Sequence, residues 1–108
     1  MEDLGFVEMQ RIQRELHEKY QDSWKKLTPE LSKDYLLWLM IEVGEAADIL
    51  KKEGYEQVMA DPDTRRRYVE ELVDVMMYFN DSMICCGITT EELRQVYLEK
   101  HHKNMERW

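Results

Sequence analysis

Apolar residues in this chain recur at helical spacing in four segments, and no stretch alternates apolar and polar in the manner of a half-buried strand. The first segment, from about residue 4 to 25, sets Val7, Ile12, Leu16, Tyr20 and Trp24 on roughly one helix face. The second, from about Ser32 to Lys52, is dense in Leu, Ile, Met and Ala, which predicts a helix covered on most sides. The third begins near Asp61-Pro62-Asp63-Thr64 and runs to about Cys86, with Val69, Leu72, Val73, Met76, Phe79 and Met83 as its apolar face. The fourth opens with Thr89 three residues before Glu92, a capping-box spacing, and turns Leu93, Val96 and Tyr97 toward its neighbours. Pro29, Gly54, Pro62 and Gly87 fall where the periodicity breaks. Gly44 lies inside the second segment, where glycine costs about 1 kcal/mol relative to alanine, and the close approach of a neighbouring helix would explain it. Short connections favour antiparallel neighbours. The expected fold is therefore all-α, a single domain over residues 1–108 arranged as a four-helix bundle whose core a second subunit completes.

Composition narrows the partners. Charged residues make up 35% of the chain against 44% hydrophobic, a balance that suits a folded protein rather than a disordered one. The formal net charge of -8 would repel a nucleic-acid backbone, so a polymer partner is not expected and any phosphate-bearing ligand should arrive with cations. The cysteines are the neighbours Cys85 and Cys86, which cannot staple distant parts of a fold and are expected to be buried and reduced. Met1-Glu2-Asp3-Leu4 lacks the basic and apolar regions of a signal peptide, and acids interrupt the apolar stretch around Met40. The expectation is a cytoplasmic protein with no membrane span.

Against this background three acids stand out in the apolar stretch from Leu36 to Leu50: Glu42, Glu45 and Asp48, each three positions after the last. Three residues advance a helix by about 300 degrees, so Glu42 and Glu45 project from nearly the same face one turn apart, where like charges repel. Glu71 and Asp74 repeat the spacing in the third segment. Two acidic pairs on two long, adjacent helices make a site for a hard cation. Oxygen ligands without a nearby histidine favour Mg²⁺ or Mn²⁺, and magnesium keeps positions open for water and substrate phosphates. Any one of these acids alone could equally belong to a solvated face paired with Lys51, Lys52 or the Arg65 to Arg67 run. On the last segment Lys100, Asn104 and Arg107 share one helix face with Lys103 beside them, a set that suits phosphate oxygens, although the helix dipole favours cations there whatever their role.

Glu42-Val-Gly-Glu45 and Glu71-Leu-Val-Asp74 resemble the Glu-x-x-Glu and Glu-x-x-Asp signature of the all-alpha NTP pyrophosphatases, which include MazG, the dimeric dUTPases and the dCTP pyrophosphatases. The flanks agree: Leu39 to Leu50 is similar to the family's first metal helix, Glu70 to Phe79 to its second, and Lys100, Asn104 and Arg107 to its C-terminal phosphate-binding segment. About three quarters of the chain is covered. The resemblance implies that Glu42, Glu45, Glu71 and Asp74 ligate magnesium, that Lys100, Asn104 and Arg107 hold a triphosphate, within one subunit or across a boundary, and that the protein is a homodimer or a homotetramer. It also implies a nucleoside pocket with His17, Trp24 and Tyr78. The dCTP branch has a base-facing tryptophan ten residues after its first motif glutamate, where this chain has Lys52.

The reaction so implied is metal-dependent hydrolysis of a nucleoside triphosphate to a monophosphate and pyrophosphate, with Glu45 as the catalytic base. Di-iron carboxylate bundles also bury acids in helices, but they need Glu-x-x-His on two helices, and only Glu99-x-x-His102 fits here, outside the carboxylate segments. The alternative of another class is a non-catalytic helical interaction or dimerisation protein, for which the eight methionines would supply an adaptable surface.

Overall fold

The computed structural model describes residues 2–108. Among these residues there is no strand, and the chain forms α1 (Phe6–Lys19), a 3-10 turn (Pro29–Leu31), α2 (Ser32–Glu53), α3 (Tyr55–Ala60), α4 (Pro62–Cys85) and α5 (Thr90–Arg107). The all-α class is as expected, with five helices rather than four. The additional one, α3, occupies the break between Gly54 and Pro62 and packs against α2 and α4 with Val58 buried. Six residues are too few for a periodicity to announce it.

The ends of these helices have local causes. At Gly54 the backbone takes φ 87 and ψ 152, a region essentially reserved for glycine, and α2 stops there. Asp61 caps α4, its carboxylate accepting the Thr64 N–H at 2.9 Å and the Thr64 hydroxyl at 2.8 Å, and Pro62 takes the first helical position, where no N–H is needed. Thr89 Oγ1 accepts the Glu92 N–H at 3.1 Å and so starts α5, as the spacing predicts.

Helices α2 and α4 form the central pair and run antiparallel. Tyr35 and Trp38 near the start of α2 both have ring centroids 6.3 Å from that of Tyr78 late in α4, while Glu53 at the end of α2 reaches Arg67 early in α4 at 3.4 Å. Helix α1 lies across the C-terminal half of α4, with Phe6 edge-on to Phe79 at 6.1 Å and Gln13 Nε2 donating to Asp81 Oδ1 at 2.9 Å. The core is small: Tyr35, Ala46, Val58, Met83 and Cys85 are its buried apolar residues.

Several expectations are corrected by this packing. The inner face of α1 is polar, with Gln10 and Gln13 buried and Val7 72% exposed, because it meets Asn80 and Asp81 rather than an apolar stripe. Helix α2 is covered by α4, with α3 and the 3-10 turn against its ends, and Leu36, Leu37, Met40 and Ile41 are left exposed. On α4, Val69, Leu72, Val73 and Met76 are open where α1 does not reach, although Met83 is buried. No residue of α5 is buried, Val96 and Tyr97 included. An apolar groove of about 670 Å³ separates its first turns from Leu39, Met76 and Phe79. Cys85 is buried as expected, but Cys86 is exposed. Nothing approaches within 4 Å of where a Gly44 Cβ would sit, so no helix of the same chain explains that glycine. Among the described residues no helix is long and apolar enough to cross a membrane.

Two substitutions test the boundaries. Gly54→Ala should destabilise by about 1–3 kcal/mol through backbone strain, and Asp61→Ala by about 1 kcal/mol through loss of the cap. Urea denaturation showing Gly54→Ala unchanged would contradict the strain at that corner.

Candidate metal centre and adjoining cavity

The antiparallel seam of α2 and α4 brings the two acidic pairs face to face. One carboxylate oxygen from each of Glu42, Glu45 and Glu71 lies within 4.8 Å of the others. Glu42 and Glu71 are half-buried between the helices, whereas Glu45 is exposed. Asp74 stands outside this trio but lines the adjoining cavity together with Glu42, and its charge is felt there. Asp48, the third acid of the α2 series, points elsewhere and pairs with Lys52 at 2.9 Å.

The cluster carries an unresolved charge. The facing Glu71 carboxylate is the largest influence on Glu42, followed by burial and by the charges of Glu45 and Asp74, and together they push its carboxyl up to about 7. Near neutrality the cluster is thus ready to hold a proton or, in its place, a cation. Glu71 Oε2 is enclosed and has no hydrogen-bond partner, a buried acceptor that a metal ion would satisfy. An all-oxygen set with one open side fits Mg²⁺ or Mn²⁺.

Beside this cluster opens a cavity of about 510 Å³. Its walls are largely aromatic: Trp24, Tyr35, Trp38 and Tyr78 line it, and the His17 ring stands edge-on to Trp24 at 5.1 Å. Tyr35 is fixed by donating its hydroxyl to the Lys25 carbonyl at 2.7 Å, which ties down the segment before α2. Burial first, and then the neighbouring carboxylates Glu42 and Asp74, raise the Tyr78 phenol, so it stays protonated. His17, Trp24 and Tyr78, singled out by resemblance, therefore share one cavity with Glu42 and Asp74.

The cavity also holds residues that the sequence reading passed over: Gln13, Lys25, Tyr35, Trp38, Met77 and Asp81. A signal existed for two of them. Asp81 follows Asp74 by seven residues, two turns along one face, and Gln13 precedes His17 by four.

The cationic set lies elsewhere. Lys100, Lys103, Asn104 and Arg107 occupy the last turns of α5, and none of them lines the cavity of its own chain. Lys100, Lys103 and Arg107 are exposed, and the Arg107 guanidinium sits 4.7 Å from the Trp108 ring centre. Asn104 is half-buried, its Oδ1 enclosed without a partner.

Comparison of the chain with protein-family models, with curated proteins and with solved structures finds no match.

The raised Glu42 carboxyl makes a signed prediction. Its folded-state value of about 7 exceeds the ordinary 4.5, so between those values the folded protein binds the extra proton and this group's contribution to stability falls as pH rises. Burial raises Asp81 in the same direction. Cation-free protein should therefore lose stability through this window, and magnesium should raise the melting temperature more at about pH 8 than at about pH 5.5, since it binds the ionised carboxylates. Equal magnesium-induced shifts at both pH values would contradict this.

Proposed function

We propose that this protein is a metal-dependent nucleoside triphosphate pyrophosphohydrolase of the all-alpha kind, which hydrolyses a nucleotide between the α- and β-phosphates. The observation that carries the reading is the junction of two features: a carboxylate trio with a buried, unpartnered Glu71 oxygen adjoins, through Glu42, an aromatic-walled cavity of nucleoside size. A solvated acidic face would account for the first feature but not for the second. Clearing unwanted nucleotides from the pool is the role that such an activity suits.

Glu42, Glu45, Glu71 and Asp74 would hold Mg²⁺, or Mn²⁺. The ion when bound supplies charge neutralisation on the phosphates and lowers the pKa of a water molecule. The chain's own residues do the rest. Trp24, Trp38 and Tyr78 grip the base and sugar between aromatic faces and exclude water from that end. Glu45, the exposed member of the trio, takes the proton of the attacking water and can pass it to solvent. The water oxygen bonds to the α-phosphorus as the bond to the bridging oxygen breaks, and pyrophosphate leaves with the electron pair. Glu45→Gln and Asp74→Asn should each reduce turnover by at least about 100-fold while circular dichroism remains that of the parent. Chromatography should show monophosphate and pyrophosphate only with metal present, and diphosphate plus phosphate would refute the assignment.

The same reading accounts for the open apolar surface. Leu36, Leu37, Met40 and Ile41 on α2, with the exposed Gly44 between them and the helix end, form one continuous face. A second copy packed there would cover it, give Gly44 a close neighbour and complete the core, as a homodimer or a tetramer of dimers does. It would also offer α5 another subunit's carboxylates, within reach of Lys100, Lys103, Asn104 and Arg107. Sedimentation equilibrium should find a dimer or a tetramer, and Met40→Glu should weaken it. A stable wild-type monomer would overturn the assembly.

A further inference from the structure

Asp81 is 2% exposed, at the opposite end of the cavity from the carboxylate trio. Both of its protein contacts fall on one oxygen. Gln13 Nε2 donates to Oδ1 at 2.9 Å, and His17 Nε2 lies 3.2 Å from the same atom, off the line of a hydrogen bond. Among the described residues nothing donates to Oδ2. Burial is the largest influence on this carboxyl and raises it, against the opposing pull of Gln13 and His17; in the ionised form both of its oxygens only accept. A strut from α4 to α1 would need no more than Oδ1. Asp81 lines the cavity and no donor of the described residues reaches Oδ2, so that oxygen is left to whatever the cavity holds.

The spacing suggests what that is. Asp74 and Asp81 lie seven residues apart on one helix, a rise of about 10.5 Å. That span matches a nucleotide whose α-phosphate sits beside Asp74 and whose base points down the cavity between the aromatic walls. The edge of the base farthest from the sugar then meets Asp81 Oδ2. In cytosine and adenine that edge carries an amino group, which donates; in uracil and hypoxanthine it carries an oxo group, whose lone pairs would face the carboxylate and be repelled.

We propose that Asp81, oriented by Gln13 and His17, is a specificity-determining residue that accepts a hydrogen bond from an exocyclic amino group, so that the site prefers cytosine- and adenine-type nucleotides over their oxo counterparts. This rests on the nucleotide reading above.

The test is kcat/KM with magnesium for two matched pairs, dCTP with dUTP and dATP with dITP, in the wild-type protein and in Asp81→Asn. In the wild-type protein the amino member should be favoured by at least about tenfold in one pair or both. Asp81→Asn can donate an N–H to an oxo group, so it should bring that ratio to near one or reverse it. A strut alone would lower the melting temperature of the variant and leave the ratios untouched. Wild-type ratios near one in both pairs, or ratios that Asp81→Asn leaves unchanged, would overturn the role of Asp81 while the pyrophosphohydrolase reading stood. If Asp81→Asn does not fold, the wild-type ratios decide. Hydrolysis of none of the four nucleotides would bring down both.

Discussion

Carboxylates facing one another across the seam of two packed helices repel, and the seam between α2 and α4 is the largest contact in this fold. Glu42 and Glu71 are half-buried there with Glu45 and Asp74 close by, in a place where water cannot fully screen them. The seam can close if a proton is shared, which is the meaning of a Glu42 carboxyl at about 7, or if a cation takes the proton's place. The same repulsion that weakens the bare helix pair thus makes it a receptor for positive charge. Aromatic packing by Tyr35, Trp38 and Tyr78 at one end, and the reach of Arg67 to Glu53 at the other, keep the helices together around the acids.

The seam also places the cavity. Glu42 belongs to both the acidic trio and the cavity wall, where Asp74 joins it, so the charge that a cation brings is delivered beside an aromatic chamber. Helix α1 and the segment after it close the other side through His17, Trp24 and the Tyr35 tether to Lys25. Gln13 and His17 on the inner face of α1 follow from this geometry: they line a chamber, not a core.

Much of this was legible in the sequence. The spacing of Glu42 with Glu45 and of Glu71 with Asp74 inside apolar stretches already put four acids on helix faces, and Asp61 and Thr89 marked the starts of α4 and α5 through side-chain chemistry that acts over three residues. The failures share a cause. Periodicity shows that a face is apolar but not what covers it, so Val96 and Tyr97 on α5, and Leu36 and Met40 on α2, were expected inside although they are exposed. It is equally silent about a polar residue buried for a purpose, which is why Gln13 and Asp81 went unnoticed. Helix α3 was too short to show a period, and the neighbours Cys85 and Cys86 could not both turn the same way.

Binding of Mn²⁺, followed by electron paramagnetic resonance, tests the cation site most directly. The wild-type protein should bind the ion, Glu71→Gln should weaken that binding by at least about tenfold, and Asp48→Asn, which alters an acid paired with Lys52 on the solvated face, should bind it like the parent. Failure of the wild-type protein to bind Mn²⁺, or equal binding by the parent and Glu71→Gln, would mean that the acids at the seam are not a metal centre.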